Sequence, residues 1–295
     1  MDDQKKAYLF GLSAVLLWST VASAFKLSLR FLDPAQLVLY ASLTSLIALI
    51  AVLGVQGKFG LLFSCSLREY ARSAALGFLN PFLYYAILFK AYDLLPAQEA
   101  QPLNYTWAIA LALLSIPLLR QKLTWIDAAA TVVSYSGVVV ISTRGDLWGL
   151  HFSSPLGVGL ALGSTVIWAL YWIFNTRDQR DPVAGLVLNF AFGLPFVLGF
   201  VLLFSDPIVA DARGLLGALY VGLFEMGLTF VLWLSALKLS ASAARIGNLI
   251  FLSPFLSLVF IHLLVGETIR MSTFVGLVFI MGGLCIQQLG ARPRG

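Results

Sequence analysis

Apolar runs of about twenty residues recur from one end of the chain to the other, each near the length needed to cross roughly 30 Å of hydrocarbon. They are too long and too continuously apolar for barrel strands, which alternate over about ten residues. A backbone in lipid must satisfy its own polar groups, so the runs are read as helices. The pattern predicts ten of them, over 7–30, 34–55, 69–92, 96–119, 124–142, 154–176, 182–204, 212–237, 241–264 and 271–290. Turn chemistry marks the breaks at Asp33-Pro34, Ser154-Pro155, Asp181-Pro182 and Ser205-Asp206-Pro207. No loop is long enough to form a separate soluble domain. The expected fold is an all-α integral membrane protein with ten transmembrane helices.

Composition agrees with the pattern. Charged residues make up 11% of the 295, against roughly a quarter in soluble domains. The net charge of +5 is read as loop charge that sets orientation, so no nucleic-acid partner is expected. With both termini placed in the cytoplasm, Lys and Arg favour the inside by about two to one. The opening MDDQKK, its apolar run and Ala22-Ser23-Ala24 resemble a signal peptide. That run continues to Phe31, long for a signal core, so it is expected to remain as the first helix. Cys65 and Cys285 lie far apart, which argues against a disulfide framework.

The halves repeat. Shifting residues 77–142 by 145 positions lands on 222–287 without a gap: Gly77 meets Gly222, Gly137 meets Gly282, and IPLLRQKL meets IHLLVGET. SAVLLWST, with Trp18, resembles GSTVIWAL, with Trp168. Five helices per half force the second half to start on the opposite side. The expectation is therefore two inverted five-helix repeats, 1–145 and 146–295, around a central cavity.

The ten-helix plan and the ending SPFLSLVFIHLLVGETIRMSTFVGLVFIMGGLCI resemble the drug/metabolite transporter superfamily, in its EamA-like branch. In that family each half closes with a helix, a Gly-Glu near the next loop and a Gly-rich final helix. Gly266-Glu267 matches, whereas the first half carries Gln121-Lys122 there. QPLNYTWAIALALL is similar to the NYLWP-type segment of bacterial aromatic amino-acid exporters, with Thr106 and Ala108 in place of Leu and Pro. The resemblance covers nearly the whole chain. It implies an inner-membrane secondary transporter that exports small amphipathic metabolites, amino acids including aromatic ones, by alternating access. The expected partners are that cargo and membrane lipids, with a monomeric chain and no cofactor.

The residues point the same way. Glu225 is the single charged residue between Gly214 and Leu237. A charge at the bilayer centre costs at least ~2.5–3.5 kcal/mol and by default marks function. Under the repeat shift Glu225 meets Asn80, so both halves place a polar group at one depth. Glu225 is read as facing the substrate path, where it holds an ammonium or a proton; the alternative is a protonated glutamate bonded to a neighbouring helix. Thr229 and Trp233 share its stripe, and Tyr84 shares that of Asn80. Gln101, Asn104 and Tyr105 share one helix face, answered in the second half by Arg245 and Asn248. Arg245 is either a carboxylate grip or a cytoplasmic anchor. Trp18, Trp168 and Tyr171 complete an aromatic slot, each also readable as core, while Trp125 and Trp148 are read as interfacial belt. Pro81 and Pro254 are read as hinges or fixed kinks. Gln98 and Glu99 are read as a solvated helix start. Lys26 and Arg30 are read as snorkelling side chains or as the lining of an exit vestibule.

Two other functions compete with this reading. Proton-coupled drug or cation efflux would use Glu225 as the proton carrier. An intramembrane enzyme would need a nucleophile with its base or a metal cage. The chain has no H-E-x-x-H and no G-x-S-x-G, and neither His151 nor His262 has a ligand-spaced partner, so no catalytic or metal residue is expected.

Overall fold

The computed structural model describes residues 3–119, 124–149, 152–175, 177–209, 211–240, 246 and 248–290. All regular structure among them is helical. The first half runs α1 (Asp3–Ser28), α2 (Pro34–Val55), α3 (Leu67–Gly77), a π-helical turn (Phe78–Leu83), α4 (Tyr84–Leu94), α5 (Ala97–Tyr105), α6 (Trp107–Leu119) and α7 (Trp125–Ser142). The second runs α8 (Pro155–Asn175), α9 (Pro182–Phe204), α10 (Ala212–Phe224), α11 (Leu228–Leu239), a 3₁₀ turn (Asn248–Leu252), α12 (Ser253–Phe260), a π-helical turn (Ile261–Val265) and α13 (Met271–Gly290). Eight stretches among the described residues are long and apolar enough to cross a membrane, with a shorter apolar one over Leu249–Val265. This is a multi-pass membrane protein.

The start signals act as their chemistry dictates. Asp33 caps α2 with a capping box to Gln36, and Asp181 caps α9 through the backbone N–H groups of Val183 and Ala184. Each is followed by proline at the first helical position, where no N–H is needed. Ser66 with Glu69 and Thr124 with Asp127 form two further capping boxes.

Three expected spans are interrupted. The 69–92 span breaks at Asn80, whose backbone leaves the helical region (φ −149°, ψ 118°) ahead of a cis bond to Pro81. The 212–237 span breaks between Phe224 and Leu228, where Gly227 adopts φ −115°, ψ −96°. The 96–119 span breaks at Thr106, four residues after Pro102. Of the 241–264 span, 241–245 and 247 lie outside the described residues.

Packing crosses between the halves. α1 lies against α10, α11 and α12, whereas α8 lies against α4, α5 and α6. α2 packs on α9 and α10, and α3 packs on α9. α7 and α13 form a seam at backbone contact, because a Cβ on Gly137 would strike the Gly276 carbonyl and one on Gly276 the Gly137 carbonyl. Small residues allow that approach in lipid, where apolar burial alone does not drive helices together. Outward faces are apolar: Leu203 is 77% exposed and Phe204 74%, a pattern that suits lipid and not water.

Candidate functional site

The helix breaks position the site. α10 ends at Phe224, and Glu225 is its C-terminal cap, with its N–H on the Val221 carbonyl at 2.9 Å. The break frees carbonyls, one of which, on Phe224, accepts from Thr229 Oγ1 at 2.5 Å. The Glu225 side chain meets the first half, where Tyr85 Oη donates to Oε1 at 3.2 Å. Tyr85 is fully buried on α4 and lies just past the matching break at Asn80.

Glu225 borders a cavity of about 310 Å³ lined by α1, α4, α5, α6, α8, α11 and the 3₁₀ turn at Ile250. One wall is built by Trp18, Phe230 and Trp233; the Trp18 ring lies 5.7 Å from Phe230 and 5.4 Å from Trp233. Tyr84, Trp168 and Trp172 continue the aromatic lining, with Phe230 6.3 Å from Trp168 and 6.4 Å from Trp172, and Tyr84 stacked on Trp168 at 4.5 Å and 26°. Such pairs add ~0.5–1.5 kcal/mol each beyond area burial, so the rings are preset surfaces. Polar atoms are few and placed. Tyr84 Oη donates to Asn104 Oδ1 at 3.3 Å, and Asn104 Nδ2 donates to Ser164 Oγ at 3.1 Å. Gln101 Oε1 and Trp172 Nε1 are buried with no partner among the described residues, which leaves one acceptor and one donor in the wall unpaired there.

Trp18, Tyr84, Gln101, Asn104, Tyr105, Trp168, Glu225 and Trp233 thus all line one cavity. Three expected residues do not line it. Thr229 is buried and ties the α10–α11 break. Tyr171 is buried behind Trp168 and stacks on it at 5.7 Å. Asn80 is buried at the first break, its Oδ1 without a partner. Arg245 lies outside the described residues, and only the backbone of Asn248 is described. Pro254 falls in the first turn of α12, whereas Pro81 sits inside the π-helical turn.

The sequence reading of Gln98 and Glu99 as a solvated helix start is overturned, since both are buried. Glu99 accepts from Arg144 Nε at 2.9 Å and Arg270 NH1 at 2.6 Å, and Ser153 Oγ also donates to it. Charges desolvated this far persist only when paired and hydrogen-bonded. Beside them Glu267 caps α5, taking the N–H groups of Ala97 at 2.7 Å and Gln98 at 3.0 Å. Gly266, at φ +83°, makes the left-handed turn that delivers it, a conformation glycine adopts without a Cβ penalty. Lys26 is half-buried and donates to the carbonyls of Tyr92 at 2.7 Å and Leu95 at 2.8 Å. Lys26, Arg30, Asp93 and Glu267 together line a vestibule of about 400 Å³ at this end of the bundle.

With this geometry in place, similarity to known proteins is informative. Residues 5–143 and again 155–287 match the EamA-like transporter family. The chain is 27% identical to an uncharacterized transporter of Clostridium kluyveri, over 96% of this chain and 93% of that protein. It is 26% identical to the aromatic amino acid exporter YddG of Ancylobacter novellus, over 98% and 99%. It is 30% identical to a probable amino-acid metabolite efflux pump of Salmonella typhimurium over 64% and 65%. A solved crystal structure superposes with a TM-score of 0.68 at 23% identity, covering 98% of each chain, which speaks to the fold alone.

Proposed function

The chain belongs to the EamA-like transporter family, and from that premise we propose that it is a secondary transporter of the bacterial inner membrane. In this reading it exports small amphipathic metabolites, amino acids including aromatic ones, by alternating access. The observation that carries the cargo class is the cavity: about 310 Å³, walled by aromatic rings, with one carboxylate at a helix break. Pockets for flat solutes are mostly apolar with a few placed polar groups, and this one has that make-up. The cargo ammonium sits at Glu225 Oε1 and Oε2, the ring lies between Trp18 and Trp168, and the cargo carboxylate turns toward the amides of Gln101 and Asn104. Names borne by two of the relatives are consistent with that cargo.

Two inverted repeats, 1–145 and 146–295, with ten spans, are supported by matched contacts. Gly77 of α3 approaches the Asn189 carbonyl of α9, and Gly222 of α10 approaches the Ala41 carbonyl of α2. Counted from the capping residues Asp33 and Asp181, Ala41 and Asn189 hold the same position. The swapped packing of α1 and α8 follows the same rule. Broken helices at the centre of such repeats expose backbone and side chains to cargo. The Glu99, Glu267 and Lys26 network then forms the outer latch, which has to part before the cargo leaves. Both termini are cytoplasmic in this reading, by the excess of Lys and Arg on that side.

Flux in proteoliposomes tests the assignment. Glu225→Gln is expected to lower phenylalanine flux at least tenfold, and unchanged transport would remove Glu225 from the mechanism. A second reading, proton-coupled efflux of drugs or cations, is favoured by one observation: among the described lining residues Glu225 is the one charged group. Flux that follows an imposed pH gradient and carries an organic cation would select it.

A further inference from the structure

Away from the cavity, a groove of about 630 Å³ lies between the last turns of α3 with the π-helical turn that follows, the end of α8 and the middle of α9. Its walls are apolar. Phe78, Phe174 and Phe196, one from each of three neighbouring segments, are each exposed by roughly two-fifths, and the Phe78 and Phe196 rings meet edge-on at 5.3 Å. Arg72 and Arg177 stand in its rim. Arg72 NH2 donates to the Phe174 carbonyl at 3.0 Å, and Arg177 NH2 donates to the Leu118 carbonyl at 3.2 Å. Both bonds go to helix-end carbonyls and neither to a carboxylate. The acids close by are engaged: Asp178 is held by Arg180 at 2.5 Å, and Glu69 closes the Ser66 capping box. A guanidinium carries five N–H donors, so each arginine keeps donors for a further acceptor.

Among the described residues neither arginine forms an ion pair, although the Asp178 charge is close enough to act on Arg72. Two cations at the rim of an exposed apolar slot match a molecule with an anionic head and a hydrocarbon tail. We propose that this groove binds an anionic glycerophospholipid of the cytoplasmic leaflet, its phosphate between Arg72 and Arg177 and an acyl chain along Phe78, Phe174 and Phe196. Arginine suits phosphate because its planar fork offers paired donors, and basic pockets between membrane helices on the cytoplasmic side take such headgroups. The tail slot separates this site from one for soluble phosphate, which would need no apolar wall. The inference is independent of the cargo.

The test uses the purified full chain in detergent, titrated with phosphatidylglycerol, phosphatidylcholine of the same chains, and glycerol phosphate, with lipid retention read by native mass spectrometry. Phosphatidylglycerol is expected to bind preferentially, and Arg72→Gln with Arg177→Gln to remove the preference, at roughly fivefold in affinity per arginine near a membrane surface. Arg213→Gln, whose guanidinium is paired with Asp211 elsewhere, should keep it. Should the double variant fail to fold, a photoactivatable phosphatidylglycerol on the unmodified chain decides: crosslinks at 72–79, 174–177 or 196 support the site. Equal retention of the two lipids, crosslinks elsewhere, or capture of glycerol phosphate without lipid would overturn it.

Discussion

At Glu225 the Tyr85 hydroxyl, the one side-chain donor to it among the described residues, bridges the two halves of the molecule at 3.2 Å. Such a bond to a carboxylate contributes roughly 1.5–3 kcal/mol, and its loss leaves a buried acceptor short of one partner. Tyr85→Phe keeps the ring and its contact with Phe89 at 5.3 Å while deleting the hydroxyl. The expected result is a proteoliposome flux reduced about five- to tenfold with a stability loss of roughly 1.5–3 kcal/mol; flux equal to the parent's would show that the bond does not orient Glu225. Glu225 itself was legible in the sequence as one acid in an apolar run. Tyr85 was not, because its role depends on how the α4 and α10 breaks face each other, and a single sequence does not carry that. Thr229 shows the opposite case. Helical spacing places it on the Glu225 stripe, but the break after Phe224 changes the phase of the helix and turns its hydroxyl to the backbone.

The elements follow the hydrophobic pattern closely, because a run of about twenty apolar residues in lipid has few alternatives to a helix. What the pattern left out was the interruptions, since a run stays apolar whether or not the helix inside it is continuous. The helix crossings are equally local. A methyl group on Gly77 or Gly222 would enter a neighbouring backbone carbonyl. Gly77→Ala and Gly222→Ala are therefore expected to lower stability by about 1–3 kcal/mol each through overpacking. Gly163→Ala, with open space around it, should be neutral or stabilising by up to ~1 kcal/mol. Thermal unfolding in detergent compares the three, and equal midpoints would refute the close crossings. The link between α8 and α9 supplies a pH dependence. Burial raises the Asp178 carboxyl, but the Arg180 guanidinium outweighs it and holds the group below its ordinary value. A carboxyl depressed on folding adds stability at pH values above its unfolded pKa and loses it as pH falls through the folded value. The pair should therefore be fully effective at neutral pH and lost in acid, below about pH 4. Asp178→Asn should cost about 2 kcal/mol at pH 7 and remove that acid-dependent part of the unfolding profile, which a pH series of melts would reveal.

For the whole molecule, the sequence carries weak self-similarity at a shift of 145, and the family model matches it twice, over 5–143 and 155–287. The Glu99 cluster was not legible. Its partners Arg144, Ser153 and Arg270 come from two loops far along the chain, and only the assembled bundle brings them to one end. Orientation is open to a direct measurement. Cys65, beside the link after α2, is expected to face the cytoplasm, whereas Trp148, 99% exposed after α7, is expected to face outward. A membrane-impermeant maleimide applied to intact cells should label a Trp148→Cys variant at that position and reach Cys65 only after permeabilisation; the reverse pattern would invert the topology.

The seam between α7 and α13 carries a mechanical consequence. Helices whose Gly137 and Gly276 touch carbonyl to Cα cannot slip lengthwise by small steps, because each step would drive a neighbouring side chain, such as Ile141, into the space the glycine leaves open. In the alternating-access reading proposed above, a pair restrained in this way would serve as a keel, about which the helices lining the cavity swing.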